Sequence, residues 1–393
     1  KIIEEEQQQT PPDVVDLTRA RETNEENNSL NLTPKTKGKG FAITLDNLKK
    51  ILSGDSKLKG AIQYNAFTYE IDVTKPTKLN GRTLSGTIDD LIIREIRAYI
   101  ATKYKIDYKK GDIADILEVV AGEHSYNPLK DYLESCESEY RKLVNQRDPF
   151  DILRHYLNIK DDEYNRIIMD LFFRGAVAKV FDPSIKFDFV LDLTGRQGVG
   201  KTQFFEGLFT HKYFTTVETF TDKDDKARMV RNWCVFDDEM VASNRMSFAE
   251  TKAFISKTSL RYRKPYMKRT EEFAKNFIIA RTTNQTEYLK DKTGERRFLP
   301  IMADSKQQKK HPMEIEPDTI EQIWGEAVTI YRAGADLMFD ENTEDELNIY
   351  REQFMYRDEV ELQVLEYLDM PVPENWQNCS IQQQHQYTSK YFD

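Results

Sequence analysis

The residues best suited to do chemistry run from Gly195 to Thr202. Gly195-Arg-Gln-Gly198-Val-Gly200-Lys201-Thr202 fits the G-x-x-x-x-G-K-[ST] phosphate-binding pattern. Gly195, Gly198 and Gly200 admit backbone dihedrals closed to other residues, so successive N–H groups can curl around phosphate oxygens at a helix N-terminus. Lys201 would reach the β- and γ-phosphates as a point charge, and the Thr202 hydroxyl would bind the accompanying Mg²⁺. Val199 and Gln203 complete the set expected to line the nucleotide. ATP with Mg²⁺ is the expected ligand, because no Asn-Lys-x-Asp guanine signature follows the loop.

Hydrolysis needs a metal-binding carboxylate and a group that orients or deprotonates water. Trp233-Cys-Val-Phe236 reads as a strand ending in Asp237-Asp238-Glu239, and two registers fit, Asp237 with Asp238 or Asp238 with Glu239. One apolar strand later comes Asn284, placed to hydrogen-bond the γ-phosphate or its water. Thr293-Gly-Glu-Arg296-Arg297 sets two guanidinium groups beside a turn. Arg suits a finger inserted at a neighbouring subunit's γ-phosphate, since its planar fork stays charged and pairs bidentately with phosphate oxygens.

Between the acidic cluster and Asn284 lies Arg261-Tyr-Arg-Lys-Pro-Tyr266-Met-Lys-Arg269, a basic, aromatic segment in a chain of net charge −10. Met267–Thr270 is expected as a hairpin tip between a strand-like half ending at Tyr266 and another beginning at Glu272. Arg263, Lys264, Tyr266, Lys268 and Arg269 would then grip single-stranded DNA by charge and stacking.

These residues need elements to carry them. Phe187–Leu193 is expected as the strand before the glycine loop, with a helix from Lys201 through Phe204, Phe205, Leu208 and Phe209 after it. Strands at Trp233–Phe236 and Asn276–Ala280, with helices between, predict a parallel α/β sheet of the P-loop kind. The 393 residues divide on composition into a flexible tail over 1–40, a mainly helical N-terminal domain over 41–150, an ATPase core over 151–305, a C-terminal helical subdomain over 306–375 and a tail over 376–393. Within the second of these, Thr44 is placed to cap a helix through Leu45, Leu48, Ile51 and Leu52, and Ala61–Ile71 alternates as a strand. Glu163–Val180 reads as the helix leading into the core. Beyond Pro300 the pattern turns helical, and Gln382–Gln386 reads as poorly ordered.

Fifty-seven Lys and Arg against sixty-seven Asp and Glu exclude a protein that coats nucleic acid with its whole surface, so a polyanion site must be local. Cys136, Cys234 and Cys379 make neither a disulfide framework nor a zinc spacing, which fits a reducing cytoplasm. No apolar run reaches the roughly 18 residues of a membrane span. The first residues lack signal-peptide order, and Lys1 in place of Met points to a trimmed start.

Together these segments resemble the ATPase region of the virulence-associated E family, phage and island-encoded proteins related to superfamily 3 helicases and poxvirus-type primase-helicases. The resemblance rests on Tyr126-Asn-Pro-Leu-Lys-Asp-Tyr-Leu133, Gly195–Thr202, Lys252-Ala-Phe-Ile-Ser256, Tyr262-Arg-Lys-Pro-Tyr266, Thr282-Thr-Asn284 and Leu289–Pro300, in the family's order over residues 60 to 370. The chain departs from the pattern before Tyr262, where the family usually carries an acid and this chain has Leu260 or its neighbours, and near Met267, where the hairpin glycine is replaced. The resemblance implies an AAA+ replicative helicase, a hexameric ring moving 3′-to-5′ on single-stranded DNA, with replication proteins as partners. No acidic and His cluster of primase type precedes the loop, so priming is not expected. The alternative is an AAA+ ATPase that loads or remodels replication proteins; steep salt dependence of single-strand binding separates the two.

Overall fold

The structure, a computed structural model, describes residues 30–144, 149–263, 270–290, 295–304, 306, 308–356, 360, 364 and 367–392. The chain forms two compact units, residues 1–135 and 136–393.

In the first unit, Thr44 caps the helix Leu45–Gly54 by accepting from the Asn47 amide, and Leu48, Ile51 and Leu52 are buried on one face. The expected strand Ala61–Ile71 is two strands. Asn65 Oδ1 accepts from the Phe67 and Thr68 amides and turns the chain there. Tyr69 adopts a left-handed φ of 59°, and β1 (Ile62–Asn65) pairs antiparallel with β2 (Glu70–Leu79). Strand β3 (Arg82–Thr87) and the short β4 (Ser125–Tyr126) complete a sheet ordered β3-β2-β1-β4. Helices Asp90–Tyr104 and Lys110–Gly122 pack their apolar stripes, including Ile96, Ile100, Ile113 and Leu117, into the same core.

The second unit is built on a five-stranded parallel sheet, ordered β11-β5-β10-β7-β6. Its strands are β5 (Val190–Thr194), β6 (Phe214–Thr216), β7 (Cys234–Asp237), β10 (Ile278–Thr283) and β11 (Phe298–Met302). β5, β7 and β10 are buried along their whole length, as expected of parallel strands covered on both faces. Pro300 sits inside β11 without loss because β11 is an edge strand. The chain therefore stays extended to Met302, and among the described residues a 3₁₀ turn at Pro312–Glu314 precedes the α-helix Pro317–Arg332. The helix Glu163–Phe181, capped by Asp162, is buried along much of its length. Aromatic rings tie these layers: Trp233 Nε1 donates to the Ala176 carbonyl at 2.8 Å, Trp324 Nε1 to that of Leu208 at 2.9 Å, and the two indoles lie 4.2 Å apart. A separate antiparallel pair, β8 (Ser259–Tyr262) and β9 (Glu271–Ala274), projects between β7 and β10 in sequence. The Gln-rich stretch 382–386 is helical, within Ile381–Phe392, where Tyr387 packs on Trp376.

One buried ion pair crosses the sheet. Arg281 of β10 lies in register with Asp192 of β5 and binds it bidentately, at 2.7 and 2.6 Å, with side-chain exposures of 5% and 0%. Tyr288 donates to the same carboxylate at 2.8 Å, and the Phe298 ring lies 4.3 Å from the guanidinium. Asp192→Ala is expected to strand a buried cation and cost about 3–5 kcal/mol in urea unfolding, while Asp192→Leu with Arg281→Met recovers most of it. An additive double mutant would refute that coupling.

Candidate functional site

The site forms where β5, β7 and β10 end together. Gly195 follows β5, and Gly200 ends the loop at φ 86° as the N-cap of the helix Lys201–Leu208. Both glycines are required sterically. A Cβ at Gly195 would lie 2.3 Å from the Ala303 carbonyl oxygen, and one at Gly200 would lie 2.7 Å from Pro312 Cδ and 2.9 Å from His311 Nε2. Outside the Gln197–Gly198 turn, the backbone N–H groups from Arg196 through Gln203 meet no protein acceptor among the described residues. A curled run of open donors at a helix N-terminus is a ready receptor for an anion.

Lys201 reaches back over this run. Its Nζ donates to the carbonyls of Gly195 at 2.7 Å and Arg196 at 3.2 Å, and to Asn284 Oδ1 at 2.8 Å. Burial holds the Lys201 pKa below the usual lysine range, opposed by Glu239 and Asp238. Added negative charge at the loop would reverse that shift. Val199 is buried and its carbonyl accepts from Gln308 Nε2 at 2.9 Å, whereas the Gln203 side chain is exposed.

The acidic cluster divides sharply. Asp237 turns into the protein: its carboxylate accepts from the Ala242 amide at 2.7 Å, the Ser243 amide at 2.9 Å and the Ser243 hydroxyl at 2.5 Å, and it is 0% exposed. Burial raises its pKa against the pull of Ser243 and Arg281. Asp237, a catalytic and metal-binding candidate on sequence grounds, is thus engaged away from the loop, with three protein donors on its carboxylate. Asp238 faces the loop. Its Oδ1 accepts from the Thr282 hydroxyl at 2.8 Å and the Thr202 hydroxyl at 3.4 Å. Glu239 follows with its Oε1 taking Asn284 Nδ2 at 2.6 Å. Lys201 demands an oxygen from Asn284 and Glu239 demands an N–H, so the two contacts fix which way the amide points.

Glu239 and Met240 both adopt left-handed dihedrals, φ 51° and 54°, which cost non-glycine residues about 1–3 kcal/mol each. The Thr282 hydroxyl accepts the Glu239 amide at 3.1 Å and Asp237 holds the following turn. The roles of Thr282, Ser243 and Arg281 lie outside what the motifs indicate. Opposite charges inside two otherwise apolar strands, Asp192 and Arg281, are the available signal in the sequence.

A cleft of about 600 Å³ opens beside Glu239 and Asn284, lined also by Asn244, Gln285 and Lys290. Oxygen donors from Thr202 and Asp238 suit Mg²⁺ bound partly through waters and phosphate. Among the described residues, no group of three or more His, Cys, Asp or Glu forms a metal cage by itself.

Arg296 and Arg297 stand elsewhere. β11 runs parallel to β5, with Phe298 opposite Val190 and Met302 opposite Thr194. The arginines therefore lie at the opposite end of the strands from their own loop, roughly 20 Å away along the strand. Arg297 is held locally: its Nε donates to Ser256 Oγ at 2.9 Å and lies 3.6 Å from the Asp188 carboxylate. The Arg296 side chain is exposed.

In the β8–β9 pair the described first strand is Ser259–Tyr262, and the expected continuation to Tyr266 with the tip from Met267 lies outside the described residues. Leu260 pairs with Phe273 and Tyr262 with Glu271, while Arg261 is neutralised by Glu272 at 2.7 Å. Arg263 is exposed just beyond the strand. Lys264, Tyr266, Lys268 and Arg269 lie outside the described residues.

Asp237→Ala should lower the melting temperature, because it orphans two buried amides at about 1–3 kcal/mol, whereas Asp238→Ala should leave it nearly unchanged. Equal melting shifts would contradict this division of labour.

No curated protein matches the chain. Among solved structures it is similar to an apo form of the NrS-1 C-terminal region, at 13% identity and a TM-score of 0.41, covering 82% of this chain and 75% of that one. A second apo structure of that region, residues 305–718, gives 13% identity and a TM-score of 0.39, covering 82% and 74%. Both likenesses are distant. Among the described residues no helix is long and apolar enough to cross a membrane. The virulence-associated protein E-like domain matches residues 133–356, more than half of the chain and the whole of the site just described. The chain belongs to the virulence-associated protein E-like family.

Proposed function

We propose that this protein is an ATP-driven motor that moves along single-stranded DNA in the replication of a phage or mobile element, within the host cytoplasm. The carrying observation is the convergence of open loop amides, Lys201, Thr202, Asp238, Glu239 and Asn284 at one edge of the sheet. This is the set that phosphoryl transfer to water requires. Membership of the family supports replication as the setting.

In this reading the loop amides and Lys201 cradle the β- and γ-phosphates, with Thr202 and Asp238 oriented to hold Mg²⁺. When bound there, Mg²⁺ neutralises charge on the phosphate oxygens. Glu239 orients the attacking water and takes its proton as the new phosphorus–oxygen bond forms and the bond to ADP breaks. Asn284 now spans Lys201 and Glu239, so a γ-phosphate that draws Lys201 forward would also reset the amide against Glu239. Arg296 is too far from its own loop to assist. Its exposure supports a role on a neighbouring subunit's nucleotide, and so a ring, a hexamer by resemblance, with 3′-to-5′ movement on the same ground. The β8–β9 hairpin would carry Arg263, Lys264, Tyr266, Lys268 and Arg269 to the strand, and replication proteins would be further partners.

Lys201→Ala should abolish phosphate release from ATP. Arg296→Ala should lower turnover by about 10³ to 10⁵, and mixing it with Lys201→Ala subunits should restore part of the rate. A mixture that stays inactive would sink the shared site. Neutralising Lys268 and Arg269 together should spare basal turnover and remove its stimulation by oligo-dT; stimulation left intact would rule out the hairpin.

A further inference from the structure

The first unit lies almost entirely outside the family match, yet it carries a cluster of exposed lysines. Two stretches without any Asp or Glu, Ser56–Tyr69 and Val73–Ile88, meet in space. The Thr74 amide donates to the Ala61 carbonyl at 2.8 Å, and the Thr77 hydroxyl lies 3.4 Å from the Lys57 carbonyl. Lys75 Nζ comes within 3.3 Å of where a Cβ on Gly60 would stand, so the ammonium sits over the Lys57–Gly60 turn. Lys57, Lys59, Lys75 and Lys78 are all exposed, and none forms an ion pair among the described residues.

Three carboxylates of this unit are already committed elsewhere. Asp55 is 0% exposed and accepts from Lys103 Nζ at 2.8 Å, Tyr104 at 2.6 Å and Tyr99 at 3.0 Å. Asp72 is buried, accepting from Asn65 at 2.9 Å and Tyr126 at 2.5 Å. Glu95 faces Arg82 at 3.8 Å and takes the Asn80 amide, offsetting the hairpin tip alone. Four exposed lysines without an ion pair among the described residues therefore lie on two adjoining segments, Lys57 also resting over the Tyr99 ring at 5.5 Å, in a chain of net charge −10. Such self-repulsion lowers stability unless a polyanion uses it.

We infer that the Lys57–Gly60 turn and the Lys75–Lys78 segment of β2 form a phosphate-backbone contact for double-stranded DNA, distinct from the single-strand contact proposed for the β8–β9 hairpin. The apolar neighbours Leu58, Leu79, Leu84 and Tyr99 are buried, so the patch offers no exposed ring on which a single-stranded base could stack. Flexible point charges flanked by hydroxyls of Ser56 and Thr83 suit the evenly charged duplex, read without regard to sequence. The inference rests on the motor reading only for the kind of nucleic acid presented.

The test uses the full chain and anisotropy of a labelled duplex of about 20 base pairs between about 50 and 200 mM salt. Changing Lys57, Lys59, Lys75 and Lys78 together to Ala should weaken duplex binding about tenfold or more. The slope of log affinity against log salt should become shallower by about 0.9 for each phosphate that is no longer neutralised. The four-arginine variant should retain affinity and slope, and each single Lys→Gln change should make the slope shallower by about 0.9, which covers the case of a misfolded quadruple variant. An unchanged duplex slope, or a weakening confined to oligo-dT, overturns the proposal. ATP turnover on the same preparations separates the two readings. A chain that loses duplex binding with the lysines but hydrolyses no ATP keeps this inference and ends the motor; a DNA-stimulated ATPase indifferent to the lysines does the reverse.

Discussion

The bidentate contact between Asp192 and Arg281 is the constraint on which the second unit depends. It joins β5, which leads into the glycine loop, to β10, which delivers Thr282 and Asn284. Arg281 Nη1 also donates to Ser243 Oγ at 3.1 Å, and Ser243 in turn donates to Asp237, so β7 is drawn into the same network. Three strands arriving at one edge are thereby tied together in mutual register. A charge pair this deep is weak evidence for added stability, but breaking it leaves an unpaired charge where no water can reach.

That network explains how two adjacent aspartates come to differ in kind. Asp237 is the last residue of β7 and its carboxylate closes the turn that follows by taking two amides and a hydroxyl. With the turn held, Glu239 and Met240 are forced into left-handed backbone, and Asp238 and Glu239 are swung toward the loop. The strain at Glu239 and Met240 is therefore tied to Asp237 and Thr282, neither of which touches the loop amides. Pre-organisation of this sort keeps an acid and an amide in place without requiring the ligand to order them.

Much of the architecture was legible in local pattern. The apolar runs around Val190, Val235 and Ile279 are too continuous for surface strands, and their alternation with helices implies a parallel sheet. Thr44 and Leu48, Ile51 and Leu52 announce a capped amphipathic helix. What local pattern missed was governed by particular side-chain contacts that periodicity does not encode. Ala61–Ile71 alternates well enough for one strand, and only the Asn65 side chain bonding to Phe67 and Thr68 breaks it. Gln382–Gln386 looks like a tail by composition, yet polar straight-chain residues form helix readily once Tyr387 finds Trp376.

By itself the sequence determined which chemistries were available: a glycine loop with Lys201 and Thr202, carboxylates after a buried strand, an amide one strand on, and two arginines after a turn. Spacing along the chain can do this because strand, loop and helix N-terminus are neighbours in sequence as well as in space. The tertiary structure alone decided which of Asp237, Asp238 and Glu239 face the loop, and that Arg297 is bound to Ser256 while Arg296 is exposed. Those outcomes depend on strand order and on partners tens of residues away, such as Thr282 for Asp238 and Ser256 for Arg297. No periodicity encodes them.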